Sequence, residues 1–319
     1  MELNMNITTT CYPHQQFRSD FELQIRNSLE YLIEITESDF KIPDKFFTKW
    51  NLCASHYLAI DAAENGNREL CINYIRNAIE KCRDDTGKPE LSIKALDYFI
   101  EPVFDMNMLL KILYKDKGVG VGYRFAHEVK EDIKKIQEAL ELLKTYDENT
   151  YLECISFIDT IYLTGKIEGD YIRSGCSFNM WGMILFCCDD ENSVPYYIEN
   201  IVHECAHHAL GIINAQDYIV LNDPDERYKA PFRKDDRPMI GIFHSYFVLN
   251  RVCQTLYKIS NIYSGIYEEE IKSRFNTALK KFLDTKEIID NHAKLTEIGH
   301  AIADSISKEM NKIISCEVK

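Results

Sequence analysis

The stretch DDENSVPYYIENIVHECAHHALGIINA, residues 189–215, decides how the rest of the chain is read. Ser193 is suited to cap a helix and Pro195 to sit in its first turn, so the helix starts about two turns before His203. On a helix, positions four apart lie one above the other, so His203 and His207 can aim imidazole nitrogens at one ion. Glu204 lies about 100° round the axis from His203, within reach of a bound water or of a ligand's outer partner. His208 points elsewhere, which predicts an outer-partner or core role.

Outward from that helix, the pattern is mostly helical. FELQIRNSLEYLIEI (21–35), CINYIRNAIEKC (71–82) and VKEDIKKIQEALELLKTY (129–146) repeat apolar residues every three or four positions. DDTGKPE (84–90) and KDKGVGVGY (115–123) carry the Gly and Pro of turns. GVGVGY lacks the flanking strand and helix of a nucleotide fingerprint and reads as a loop. YLECISFIDTIYLTG (151–165) and GCSFNMWGMILFCC (175–188), rich in β-branched and aromatic residues, predict strands and hairpins. MWGMILFCC (180–188) is expected as an edge strand able to pair with an extended peptide.

Beyond the central helix, NDPDERYKAPFRKDDR (222–237) is a polar loop, of a length that in compact domains is often functional. PMIGIFHSYFVLNRVCQTLYKISNIY (238–263) predicts a long buried helix, and two more helices are expected at about 267–283 and 286–312. The expected architecture is α+β and mainly helical, with a small antiparallel sheet before a zincin-like HExxH helix. The expected division is a helical region over 1–150, serving as scaffold or peptide recognition, and a metal-bearing region over 151–319.

Composition narrows the function classes. The net charge is −14 with no Lys/Arg cluster of the kind that tracks phosphates, which argues against nucleic acid. Solubility is sufficient reason for the acidity. Eleven cysteines, with no CxxC pair, resemble neither a zinc knuckle nor a disulfide framework and are expected as reduced, packed thiols. MELNMNITTTCYPHQQ lacks the basic start and apolar run of a secretory signal, and no apolar run reaches the ~18 residues of a membrane span. A cytoplasmic protein is the expectation.

A metal on His203 and His207 needs a third ligand. The metzincin pattern would put Gly at 210 and His at 213, where the chain has Leu210 and Ile213. The gluzincin pattern would draw a later glutamate, and Glu226 sits in the polar loop. His244, inside RPMIGIFHSYFVLNRV (237–252), is the better candidate. Seven residues on, Arg251 returns to nearly the same face. A guanidinium in so apolar a helix needs an anion, from the protein or from a ligand.

The pairing of HExxH (His203, Glu204, His207) with RPxxGxxHxxxVxxR (Arg237, Pro238, Gly241, His244, Val248, Arg251) resembles the HExxH-type peptide-modification proteins of ribosomal peptide biosynthesis. The resemblance covers roughly residues 194–252. It implies an iron(II)- and 2-oxoglutarate-dependent hydroxylase acting on the β-carbon of an Asp, His or similar side chain in a peptide. It further implies Fe(II) on His203, His207 and His244, with Arg251 holding the distal carboxylate of the cosubstrate and Arg237 in reserve. Arg237 could equally anchor the helix start against the acidic pair before it.

Ligand type alone leaves the metal open, because three imidazoles are also a zinc set. The alternatives are therefore a Zn(II) peptidase with Glu204 as general base, and a noncatalytic helical module that binds peptides.

Overall fold

The computed structural model describes residues 14–83, 90–97, 108, 112, 120–231, 233 and 235–317. The expected turn over 84–89, the first residues of the 115–123 loop and Cys11 lie outside the described residues. The fold is mainly helical α+β. The chain forms two compact units interleaved along the sequence: one of residues 14–134 and 155–192, the other chiefly of residues 135–154 and 193–319.

The first unit holds helices α1 (His14–Ile35), α2 (Trp50–Glu64) and α3 (Arg68–Arg83) and a four-stranded sheet. The predicted helical stretches at 21–35 and 71–82 fall within α1 and α3. The strands are β1 (Ser92–Ala95), β2 (Thr160–Thr164), β3 (Ser174–Cys176) and β4 (Met183–Cys187), in the order β1-β2-β4-β3. β1, β2 and β4 run parallel and only β3 is antiparallel, so the sheet is mixed where an antiparallel one was expected. The reason is legible in hindsight: TIYLT and MILFC are buried at every position, the pattern of inner parallel strands covered on both faces, not of a half-solvated hairpin.

β4 lies between β2 and β3, so its backbone is already paired on both sides. It is not the edge strand expected to take up a peptide. Trp50, Leu96, Tyr162, Met180, Met183 and Leu185 belong to the core of this unit. Gly182 enters β4 with φ +106°, and a Cβ there would stand 2.2 Å from Asp159 Oδ2, so only glycine fits.

The second unit is helical. Its elements include α4 (Lys130–Tyr146) from Lys135 on and α5 (Glu148–Phe157) as far as Cys154, so divisions between the units fall inside both helices. The expected boundary between residues 150 and 151 also falls inside α5. YLECISF is thus helix, not strand. Glu148 supplies negative charge to the first turn, and the Asp147 carboxylate accepts from the Thr150 hydroxyl at 2.7 Å. These local start signals outweigh the single β-branched Ile155.

α6 (Val194–Gln216), α7 (Met239–Ile262), α8 (Glu268–His292) and α9 (Glu297–Glu317) complete the unit. Ser193 caps α6 as expected, its Oγ accepting from Tyr196 N at 3.1 Å. α7 agrees closely with the predicted helix. The break placed near residues 284–285 is instead continuous helix, since Thr285 is buried and its hydroxyl is satisfied by Lys281 O at 2.8 Å. The real break comes at 293–296, where Thr296 Oγ1 accepts from Gly299 N at 3.1 Å and starts α9. Tyr246 of α7 stacks on Phe282 of α8 at 5.1 Å and 18°. Among the described residues, no helix is long and apolar enough to cross a membrane.

Candidate metal centre

α6 and α7 are apolar on most of their circumference, and burying that surface is what holds them together. Each leaves one half-buried stripe. On α6 it runs through Glu199, Asn200, His203 and His207, at the three- and four-residue spacing of a helix face. On α7 it runs through Ile240, Gly241, His244 and Ser245. These stripes, with parts of the 222–237 loop and α8, line a cavity of about 650 Å³.

His203, His207 and His244 all face this cavity. The rings of His203 and His207 lie 5.0 Å apart between centroids, and those of His207 and His244 lie 5.7 Å apart. Two imidazoles sharing an ion through nitrogens at ~2.1 Å put their ring centres about 5 Å apart. The first spacing meets that condition. The second, at 5.7 Å, is wider than that condition, and among the described residues no three His, Cys, Asp or Glu side chains are grouped closely enough to hold a metal ion.

The donor chemistry fits a metal. Burial, followed by the neighbouring His203 and His244, pushes the His207 pKa well below the usual histidine range. Burial alone lowers that of His244 to about 4. Both rings are therefore neutral at pH 7, with a lone pair to offer.

The cavity wall also carries charge that the chain as a whole does not predict. Arg233, Arg237 and Lys281 line it, against Glu199, which Arg274 Nη1 already neutralises at 2.8 Å. Arg237 is paired through Nη2 with Asp235 at 2.7 Å, the anchoring contact anticipated from the acidic pair before it. Asp235 itself is exposed, so the pair is open to exchange with another anion. Tyr228 and Arg237 exchange backbone hydrogen bonds of 2.8 Å, which fixes the end of the loop at the mouth of α7.

Arg251 is placed differently from the sequence expectation. Its side chain is 6% exposed, it is not among the described residues lining the cavity, and its Nη1 donates to Glu153 Oε2 at 3.1 Å. The anion required by its apolar surroundings is supplied by the protein. Glu204 is buried, 3% exposed, and is likewise not among the described lining residues. His208 is fully buried in the core. Glu226 is exposed and accepts from the Tyr228 hydroxyl, away from the lining.

Sequence reasoning missed Glu199, Arg233, Lys281, Thr285 and Glu153. Glu199 was within reach, being one turn before His203 on the same stripe. Lys281 and Thr285 lie on α8, and nothing local marks them as neighbours of the HExxH helix. Compared with known proteins, the chain matches no protein-family model and no curated sequence.

Proposed function

We propose that this protein is a mononuclear Fe(II)- and 2-oxoglutarate-dependent oxygenase that hydroxylates the β-carbon of a side chain in a peptide. The observation that carries the reading is the shared cavity. Three imidazoles from two helices face it together with Arg237 and two further cations. His203, His207 and His244 would hold the metal. When bound, Fe(II) with 2-oxoglutarate and dioxygen supplies the oxidising power, the keto acid leaving as succinate and carbon dioxide while one oxygen atom enters the substrate C–H bond.

The chain's own task is to bind and orient. Arg237 takes the role first assigned to Arg251: its guanidinium offers a fork to the distal carboxylate of the cosubstrate, exchanging the exposed Asp235 for it. The peptide as substrate is supported by the resemblance of the paired motifs. A zinc peptidase would need Glu204 at the metal-bound water. Its burial away from the cavity lining favours the oxygenase.

The test is an anaerobic titration of metal-free protein with Fe(II) and then 2-oxoglutarate, following the visible charge-transfer band of a chelated keto acid. The wild type develops the band. Arg237→Ala keeps the metal but raises the apparent 2-oxoglutarate Kd at least about tenfold, the loss of one charge-assisted contact. Tight zinc retention with no band in the wild type would overturn the oxygenase reading.

A further inference from the structure

We infer that Glu153 is a positioning residue for the metal centre, pinning the two ligand-bearing helices in register from the side of α5. The inference rests on the metal reading above and assigns it a residue that neither motif contains. One carboxylate touches both helices: Oε2 accepts from Arg251 Nη1 on α7 at 3.1 Å, and Oε1 faces Cys205 Sγ on α6 at 4.0 Å. Cys205 lies between His203 and His207 in sequence. Arg251 lies two turns, about 10.5 Å, along α7 from His244 and on nearly the same face.

The physical need for such a pin follows from the packing. α6 and α7 bury mostly aliphatic and aromatic side chains, and apolar attraction is non-directional, so a directed polar contact adds angular definition that such burial does not supply. A ligand set drawn from two helices is sensitive to their relative placement, because coordination tolerates displacements of only about 0.5 Å. A guanidinium–carboxylate contact has angular preferences that aliphatic packing lacks. It is also a poor choice for stability alone: a buried ion pair is often matched or exceeded by apolar residues of the same volume. The Arg251 guanidinium is further fixed over the Phe247 ring at 5.3 Å.

The experiment is Co(II) titration of the full chain, read by the visible d–d bands and by Kd, beside thermal melting of the metal-free protein. The wild type binds one equivalent. Glu153→Gln, which keeps shape but removes charge, raises the Co(II) Kd at least about tenfold, within the range seen when residues supporting a ligand set are lost, and alters the band pattern. Because Glu153→Gln leaves a buried guanidinium uncompensated and can unfold the protein, the paired change Glu153→Leu with Arg251→Met is measured too. That variant is expected to keep the wild-type Tm yet bind Co(II) as weakly as Glu153→Gln. Arg251→Lys, which keeps a cation opposite Glu153, is expected to retain most of the affinity. Wild-type Kd and bands in the paired variant would overturn the inference while leaving the metal centre standing. Absence of Co(II) binding by the wild type would instead remove the metal reading itself, and this inference with it.

Discussion

Arg251 and Arg237 carry the same charge fourteen residues apart, and their surroundings give them different work. Arg251 is sealed beside Glu153, whereas Arg237 faces a cavity and pairs with an exposed aspartate. In the other unit, Asp159 is held by two hydrogen bonds. Its Oδ2 accepts from Trp50 N at 2.9 Å and its Oδ1 from the Thr160 hydroxyl at 2.8 Å. Burial nevertheless raises its pKa to about 7, the two hydrogen bonds only partly offsetting the loss of water. With a folded pKa above the unfolded one, the group stabilises the fold fully below about pH 4, and that contribution is lost as pH rises through about 7. Asn in its place can accept from Trp50 N and donate to Thr160 Oγ1. Asp159→Asn is therefore expected to flatten the fall in unfolding free energy between pH 5 and pH 8, as followed by urea denaturation. An unchanged slope would show that Asp159 is ionised throughout.

At the scale of elements, α6 begins where its cap requires. Ser193 Oγ accepts from Tyr196 N and its hydroxyl donates to Glu270 on α8, so one side chain starts the HExxH helix and ties it to a neighbour. Ser193→Ala is expected to cost about 1–2 kcal/mol in urea denaturation, since the cap and the link to α8 go together. A cost near zero would mean water replaces the hydroxyl on both sides. The strands show the opposite dependence on context. YLECISF and TIYLT are adjacent and alike in composition, yet the first is helix and the second an inner strand. Asp147 and Glu148 start a helix, Asp159 ties the next turn of chain to Trp50, and β2 then finds β1 and β4 on either side. Apolar content alone does not separate these outcomes.

For the whole molecule, the buried polar groups and thiols describe how the core is completed. All the cysteines among the described residues are free, and most are buried, where burial raises the thiol pKa of Cys53, Cys188 and Cys253. They pack as small apolar side chains, as composition implied. The melting temperature is accordingly expected to be the same with and without a reductant. A drop on reduction would reveal a cross-link between molecules or to Cys11. In the unit that carries the histidines, Asp147 gathers Thr150, Thr255 and Lys258 within 3.0 Å, a second polar tie between α7 and the start of α5. That tie and the Glu153–Arg251 pair both use acids from residues 147–153, a stretch far from the motifs in sequence.

The sequence by itself determined the elements whose causes are local. Ser193 and Pro195 set the start of α6, four-residue spacing put His203 and His207 on one stripe, and the apolar run after Pro238 made α7. His244, a candidate in the sequence, faces the same cavity. Only the tertiary structure decided what depends on partners distant in the chain. Strand direction was hidden because TIYLT and MILFC do not alternate, and a strand buried on both faces carries no mark of parallel or antiparallel pairing. The role of Arg251 was hidden for the same reason. Its need for an anion follows from its own surroundings, but whether Glu153 or a ligand meets that need depends on which helix packs beside it.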